Sequence, residues 1–137
     1  MTTKKVVQCT GLPASGKTTG IQLFSSRAVI PVTRLDIRNY YTWRRELEFQ
    51  AAINLANQSL IAESACGVTL SGSYVVRLEV PIKTLYENHL RRDGWVDEDY
   101  LSLLRTNMIS PDYTVGSPDD LSEILAVLFE GTGNGSW

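Results

Sequence analysis

The chain has 137 residues, enough for one domain with a substantial core and too few for two. Its hydrophobic fraction of 43% and charged fraction of 20% are typical of a soluble globular protein. The net charge of −2 argues against a surface coated in basic residues, so any nucleic-acid contact is expected to be a local patch.

The sequence predicts a cytoplasmic protein. No apolar run approaches the length of a bilayer span, and the N-terminal residues lack the hydrophobic region of a signal peptide. Two cysteines, Cys9 and Cys66, are too few for a metal cluster or a disulfide framework, so we expect buried thiols in a reducing compartment. We interpret residues 1–130 as one domain and the glycine-rich residues 131–137 as a flexible C-terminal tail.

The first predicted elements are a strand over residues 4–9 and a helix from Lys17 to about Arg27. Between them the sequence has the pattern G-x-x-x-x-G-K-T, from Gly11 to Thr18. In this strand–loop–helix context the pattern is typical of a phosphate-binding loop, whose backbone N–H groups converge on phosphate oxygens at the start of the helix. The sequence therefore predicts that the chain binds a nucleoside triphosphate.

The residue types in this loop suit that chemistry. Gly11 and Gly16 supply backbone conformations that other residues rarely adopt. Lys17 would reach the β- and γ-phosphates, and the Thr18 hydroxyl would bind Mg²⁺. The implied cofactors are ATP or GTP together with Mg²⁺. The residues expected around the nucleotide are Gly11, Pro13, Ala14, Ser15, Gly16, Lys17, Thr18 and Thr19.

A second strand, a loop and a long helix are predicted next. Residues 28–33 predict the strand, and Pro31 favours an edge position for it. A polar and aromatic loop follows over residues 34–41. The helix is predicted from Trp43 to about Asn57, because apolar residues spaced four apart share one face. Those apolar residues are Trp43, Leu47, Ala51 and Leu55.

A short crossover separates the third predicted strand, residues 58–63, from the fourth, residues 74–80. Only nine residues lie between Ser64 and Tyr74. A parallel crossover usually needs about a dozen residues and a helix. We therefore expect the helix of this crossover to be a single turn or to be missing.

Three further helices and a short strand complete the predicted elements. The helices cover residues 81–92, residues 97–108 and a segment that begins at Ser117-Pro118, and the strand covers residues 113–115. Strands that alternate with helices predict an α/β protein with a parallel sheet covered on both faces.

The carboxyl ends of parallel strands usually form the ligand site of such a sheet. The phosphate-binding loop, residues 34–38, Glu63 and the segment after Val80 should therefore surround one crevice. Within it, phosphoryl transfer requires an acceptor oxygen in line with the γ-phosphoryl group and often a carboxylate that takes the acceptor's proton.

Asp36 is the candidate base at this crevice, since it follows the second predicted strand. The alternative is a loop aspartate paired with Arg34 or Arg38. These two arginines could bind a phosphate group of the acceptor, or they could be ordinary surface residues.

Glu63, at the end of the third predicted strand, is a candidate metal residue together with Thr18. The alternative is that the strand simply reaches solvent there. Arg91 and Arg92 end the helix over residues 81–92, where they could form a lid that places an arginine on the triphosphate. They could also complement the helix dipole.

An aromatic and basic cluster precedes the predicted second helix and consists of Tyr40, Tyr41, Trp43, Arg44 and Arg45. Such a cluster could stack a nucleobase and bind phosphates, so Trp43 is a candidate substrate residue. Packing of Trp43 on the core explains it equally well.

Three segments together resemble the small P-loop kinases around phage polynucleotide 5′-hydroxyl kinase and the zeta-toxin group. They read G-L-P-A-S-G-K-T-T, R-L-D-I-R and V-P-I-K-T-L-Y-E-N-H-L-R-R. The resemblance covers residues 4–128 and implies a three-layer P-loop NTPase fold with a five-stranded parallel sheet in the order 2-3-1-4-5. It also implies that Asp36 lies in the base region and that Arg38 contacts an acceptor phosphate. Arg92, or its neighbour Arg91, would be the lid arginine.

The chain differs from this family at three points. Leu35 stands where the first of two adjacent acids is usual, Glu63 stands where aspartate is common, and the crossover after Glu63 is short. Nucleotide binding therefore has more support in the sequence than the acceptor chemistry does.

We predict an ATP-dependent kinase that phosphorylates a hydroxyl of a nucleic acid, either a 5′-hydroxyl end or a hydroxyl on a modified DNA base. Its partners would be a nucleoside triphosphate and a DNA or RNA acceptor, in the host cytoplasm if the chain is phage-encoded. A kinase of a nucleotide or small metabolite is the first alternative, because a P-loop recognises only the donor. An ATPase or GTPase switch is the second, although the chain has no N-K-x-D motif and residues 60–63 match a Walker B strand poorly.

Overall fold

A computed structural model of the protein describes residues 4–29, 31–39 and 45–131. Strands and helices alternate along these ranges. The strands are β1 (Val6–Thr10), β2 (Thr33–Asp36), β3 (Leu60–Glu63), β4 (Ser73–Leu78) and β5 (Tyr113–Val115). The helices are α1 (Lys17–Ser25), α2 (Arg45–Leu55), α3 (Ile82–Asp93), α4 (Glu98–Asn107) and α5 (Pro118–Glu130), with one 3₁₀ turn at Ile37–Asn39.

The five strands form one parallel sheet in the order β2-β3-β1-β4-β5, which confirms the predicted fold. The register brings the carboxyl ends of β2, β3 and β1 level with one another. Glu63 lies opposite Cys9 on one side and opposite Asp36 on the other. The phosphate-binding loop therefore begins beside two carboxylates from neighbouring strands.

Helices cover both faces of the sheet. On one face α1 and α5 pack on Val7 and Cys9 of β1, and the aromatic rings of Phe24 and Phe129 stack there at 5.6 Å between centroids. On the other face α2 packs on Val6 through residues that include Phe49. The alternation of side chains along a strand assigns neighbouring residues of β1 to opposite faces.

The segment of residues 64–72 connects β3 to β4 without any helix, as the short crossover predicted. The buried side chain of Gln8 replaces part of the missing helix's contacts. Its Nε2 donates to the Val68 carbonyl and its Oε1 accepts from the Val68 N–H, both at 2.9 Å. Val68 itself is buried in the core cluster beneath α2. An irregular segment thus covers this face of the sheet with its backbone polar groups partly satisfied by one side chain.

The position of β2 differs from the prediction. The strand covers Thr33–Asp36 and not residues 28–33, so Arg34 and Asp36 belong to the strand and not to a loop. Val29, from the predicted strand, is 83% exposed. An edge strand is only partly covered by the rest of the fold, so few of its residues are apolar. The apolar run at residues 28–32, just before β2, was therefore a misleading signal. The predicted edge position is confirmed.

The buried face of α2 also differs from the prediction. Phe49 and Ile53 are buried, whereas Leu47 and Leu55 are 59% and 79% exposed. Both pairs lie on stripes of four-residue spacing, so the predicted stripe with Leu47 and Leu55 is wrong and the stripe with Phe49 and Ile53 faces the sheet. Trp43, the first residue of the predicted stripe, lies outside the described ranges.

The remaining helix ends follow the sequence signals. Gly94, at φ 82°, ends α3, and Asp97 caps α4 by accepting a hydrogen bond from the Tyr100 N–H. Ser117 caps α5 in the same way, with Pro118 as the first helical residue. Among the helices that the structure describes, none combines the length and the apolarity needed to cross a bilayer.

Candidate active site

The phosphate-binding loop joins β1 to α1 and is held in a strained but closely packed conformation. Ala14 and Gly16 have left-handed backbone angles, with φ of 67° and 101°. Left-handed residues in such a loop turn successive N–H groups towards one point, which forms an anion-binding concavity. A Cβ atom at Gly16 would lie 2.7 Å from the Pro118 ring, and one at Gly11 would lie 2.7 Å from the Leu78 carbonyl oxygen. Both glycines are therefore required by space as well as by conformation.

Lys17 lies buried at the start of α1, where its ammonium group bridges the loop. Its Nζ donates to the carbonyl oxygens of Gly11 at 2.5 Å and of Leu12 at 3.2 Å. Burial lowers the pKa of Lys17 to about 8, with the Glu63 carboxylate acting in the opposite direction. The ammonium group is thus charged at neutral pH and lies next to the concavity of the loop.

Thr18 and Glu63 place two hard oxygen ligands beside each other. The Thr18 hydroxyl donates to Glu63 Oε2 at 2.9 Å, and Glu63 is 4% exposed, so β3 does not reach solvent at this residue. Magnesium prefers such oxygens and takes its other ligands from phosphate and water. Within the described residues there is no cluster of three or more His, Cys, Asp or Glu that would form an all-protein metal cage. The residue types therefore fit Mg²⁺ that is shared with a bound triphosphate.

Two arginines hold the two carboxylates of this edge, and we call Arg34, Asp36, Arg38 and Glu63 the carboxylate cluster. Arg34 contacts both acids, at 2.7 Å from Glu63 Oε1 and 2.9 Å from Asp36 Oδ2. Arg38 binds Asp36 through its side chain and through its backbone N–H. Burial alone would raise the pKa of Asp36, but the hydrogen bonds and charge of Arg38, with the charge of Arg34, hold it below its usual range. Asp36 is therefore ionised and oriented at neutral pH.

A single cavity of about 740 Å³ joins these groups. Its walls are the phosphate-binding loop, the carboxyl ends of β2 and β3, and one face of α3. The residues lining it are Pro13, Ala14, Ser15, Gly16, Lys17, Thr18, Thr19, Asp36, Ile37, Arg38, Arg45, Glu63, Ser64, Ala65, Asn88, Arg91, Arg92 and Tyr100. The predicted loop, acceptor and lid residues are thus brought together, except that Gly11 and Arg34 do not line the cavity and Trp43 lies outside the described ranges. Tyr40, Tyr41 and Arg44 lie outside them as well.

Helix α3 places two arginines at the cavity, and we call it the lid helix. Arg91 and Arg92 both line the cavity, and Arg92 also pairs with Asp93 at 3.2 Å. His89 packs on the inner side of the helix with 6% exposure, and its Nδ1 lies 3.4 Å from Asp93 Oδ2. Both arginines are near enough to the cavity to meet a phosphate, and the lid role stays a prediction.

The residues that line the cavity but were not among the predicted site residues are Ile37, Arg45, Ser64, Ala65, Asn88 and Tyr100. Asn88 precedes Arg91 and Arg92 by three and four positions, so helical spacing was a signal that it shares their face. Arg45 was noted only as part of the aromatic and basic cluster; its Nε donates to the Ile37 carbonyl at 3.0 Å. Tyr100 lies within the predicted helix over residues 97–108, and nothing in the sequence indicated that this helix reaches the cavity.

No protein-family model matches the sequence, and no curated protein sequence matches it. Solved structures do match over nearly the whole chain. APS kinase from Mycobacterium tuberculosis, in complex with AMPPNP and APS, matches with a TM-score of 0.62 and 16% identity, covering 93% of this chain and 98% of that one. Shikimate kinase from Aquifex aeolicus matches with a TM-score of 0.58 and 20% identity, covering 96% and 99%.

Gluconokinase from Sinorhizobium meliloti matches similarly, with a TM-score of 0.58 and 16% identity over 93% of this chain and 90% of that one. At such low identity these matches establish the fold alone, which this chain shares with the three kinases. They do not show the resemblance to phage polynucleotide kinase, which stays a prediction.

Proposed function

We propose that the protein is a P-loop kinase that transfers the γ-phosphoryl group of ATP or GTP to a hydroxyl group of a small anionic molecule. The observation that carries the proposal is the single cavity in which a phosphate-binding loop faces an oriented carboxylate and several arginines. A nucleotide switch requires only the first of these features. A phosphoryl-transfer enzyme requires both, because the acceptor must be held in line with the donor.

On the donor side, the loop N–H groups and Lys17 would bind the β- and γ-phosphates. Thr18 and Glu63 are the residues that would hold Mg²⁺, and the ion would neutralise charge on the phosphate oxygens when bound. Arg91 or Arg92 would add positive charge from the lid helix. These roles use groups that already lie around the same cavity.

On the acceptor side, Asp36 would accept the proton of the attacking hydroxyl. Its low pKa makes it a weak base, which suits a loose transition state in which the nucleophile is deprotonated late. Arg34 contacts both acids from outside the cavity, so we assign it to orienting Asp36 and Glu63 rather than to the acceptor.

The charges of the cavity favour an anionic acceptor. Five cationic side chains and two carboxylates line it. Arg38 pairs with Asp36 on the acceptor side, and 61% of its side chain is exposed. Arg45 lies close by, because it donates to the carbonyl of Ile37, the residue after Asp36. Guanidinium groups bind carboxylate and phosphate groups in a two-pronged manner. A hydroxyl compound that carries one such group would therefore be oriented by charge.

A small acceptor has more support than a nucleic acid. The matching structures are named for gluconate, shikimate and APS kinases, and none of these names indicates a nucleic-acid acceptor. The aromatic and basic cluster that favoured a nucleic acid lies mostly outside the described residues. The small-metabolite or nucleotide alternative is therefore our main proposal.

The test is phosphoryl transfer from labelled ATP to a panel of acceptors. The panel contains small hydroxy acids, sugar acids, nucleoside monophosphates, and 5′-hydroxyl DNA and RNA, with Lys17→Ala as the inactive control. Transfer to a small anionic hydroxyl compound is the expected result. Transfer to 5′-hydroxyl ends alone would replace the acceptor class, and hydrolysis of ATP that no acceptor stimulates would favour an ATPase instead.

A further inference from the structure

We infer that Asn88 is a positioning residue that holds the phosphate-binding loop and the lid helix in their working arrangement. The inference rests on the proposed function, because it assigns a role within that same nucleotide site. Its starting point is a side-chain contact between two elements that lie far apart in the sequence. Asn88 Nδ2 donates to the carbonyl oxygen of Ala14 at 3.0 Å.

The acceptor of this hydrogen bond has an unusual backbone conformation. Among the described residues, Ala14 is the only one other than glycine with a positive φ, at 67°. Side-chain-bearing residues avoid this region because Cβ approaches the backbone too closely. Such strain persists only where the surrounding structure enforces it, and it often occurs at functional sites.

The strained conformation has a clear use in this loop. In a loop of this kind a left-handed residue turns N–H groups inward towards an anion, and the same rotation turns its own carbonyl away from the anion. The outward carbonyl of Ala14 needs a partner, and the half-buried Asn88 amide supplies it. Asn88 therefore stabilises the loop conformation in which the N–H groups converge.

The same hydrogen bond fixes the lid helix. Asn88 lies one turn before Arg91 and Arg92, and all three line the cavity. Leu85, nearly one turn earlier again, is buried in a cluster with Leu12 of the loop. The lid helix thus contacts the loop through an apolar cluster and through this hydrogen bond, and we assign to the hydrogen bond the spacing between the lid arginines and the loop.

The consequence is a coupling between loop and lid. A nucleotide that selects the converged N–H groups also selects the position of the lid arginines, because both depend on the Asn88–Ala14 contact. Loss of the amide donor should therefore weaken nucleotide binding and loosen the lid helix together.

The experiment compares the parent with Asn88→Ala and with Asn88→Leu, which keeps the approximate size but has neither the donor nor a charge. Glu87→Ala is the control, since Glu87 is exposed on the same helix and does not line the cavity. We expect both Asn88 variants to bind MgADP about tenfold more weakly by calorimetry. Amide exchange in α3 should be about tenfold faster in the nucleotide-free proteins. Glu87→Ala should change neither quantity.

A second background tests whether Asn88 acts through Ala14. Glycine adopts a positive φ without strain, so Ala14→Gly should make the loop less dependent on the Asn88 hydrogen bond. In that background we expect Asn88→Ala to weaken MgADP binding less than threefold. An equal loss in both backgrounds, or unchanged exchange in α3, would overturn the inference.

Failure of the proposed function gives a different pattern. If the parent bound no MgADP, the kinase proposal would fail, whereas amide exchange in α3 would still test the contact in the nucleotide-free protein. If the parent bound MgADP and both Asn88 variants bound it equally well, the role of Asn88 would fail and the kinase proposal would stand.

Discussion

Lys17 is a charged group that the fold buries at a cost in stability. Its pKa of about 8, against the ordinary 10.5, means that folding destabilises the charged form of Lys17 by roughly 3 kcal/mol relative to the neutral form. Between these two pH values the unfolded chain binds more protons at this residue than the folded protein does. The contribution of Lys17 to the free energy of unfolding therefore rises as the pH increases from about 8 to 10.5.

We predict opposite effects of Lys17→Met on activity and stability. The variant should lose phosphoryl transfer, because nothing replaces the charge at the β- and γ-phosphates. At pH 7 it should unfold at higher urea concentration than the parent, because no charge is buried. The difference between the two proteins should shrink by pH 10. Urea unfolding at both pH values checks this, and a stability difference that does not depend on pH would contradict it.

Asp36 offers a test of the acceptor side. Asp36→Asn preserves shape but cannot accept a proton, so the maximal rate should fall by roughly a hundred- to ten-thousand-fold while ATP affinity is nearly unchanged. Steady-state kinetics and nucleotide titration give the two quantities. A rate within a few-fold of the parent would make Asp36 a structural partner of its arginines, and the base would then have to be sought nearer Glu63.

The pH profile adds an independent reading of the same residue. Arg38 holds the pKa of Asp36 below its usual range. The parent should therefore keep its rate as the pH falls towards the usual pKa of an aspartate side chain. Arg38→Ala should raise the pKa of Asp36. The acid limb of its rate profile should then move to higher pH, whereas a base elsewhere would leave the limb in place.

At the scale of single elements, the lid helix carries two candidate arginines. Arg92→Ala should reduce the maximal rate on the order of a hundred-fold while weakening ATP binding little, because such an arginine acts mainly on the transition state. Arg91→Ala is the matched variant, one residue away on the same helix. Transfer rates and ATP affinities of the two variants decide which arginine acts, and unchanged rates in both would remove the lid from the mechanism.

The packing of α1 against α5 gives a prediction about stability. An alanine Cβ at Gly20 would lie 2.8 Å from Leu121 Cδ2 and 2.9 Å from the Pro118 carbonyl oxygen. Alanine normally stabilises a helix interior by about 1 kcal/mol relative to glycine. Here the contact with backbone requires α5 to move, which typically costs about 1–3 kcal/mol, so we expect Gly20→Ala to be destabilising.

Urea unfolding of Gly20→Ala and of Gln22→Ala, an exposed position on the same helix, checks this expectation. Gln22→Ala should stay within about 0.5 kcal/mol of the parent. A Gly20→Ala protein as stable as the parent would mean that α5 adjusts without loss.

At the scale of the whole molecule, the sequence predicted the sheet and most of the helices. The reason is that its strong signals were local: an apolar run before the glycine loop, Ser117-Pro118 at the start of α5, and a crossover too short for a helix. Errors arose where two local patterns competed. In α2 the stripe with Phe49 and the stripe with Leu47 have the same spacing, and only the position of the sheet decides between them.

The site was predictable in its residue types and less so in its contacts. The register that places Asp36 opposite Glu63 is a tertiary fact, so the double pairing of Arg34 could not be read from the chain. The contact of Asn88 with Ala14 joins residues 74 positions apart. Helical spacing indicated the face of Asn88, but its partner depended on how α3 docks.

The short outer strands have a consequence for how the protein behaves at high concentration. β2 has four residues and β5 has three, so each edge of the sheet offers only a few unpaired N–H and C=O groups. Long, flat edge strands act as templates on which another chain can add a strand and begin a fibril. Arg34 also places a positive charge on the edge strand β2. Folded molecules of this protein should therefore resist strand-by-strand aggregation, and any precipitation should begin from unfolded chains.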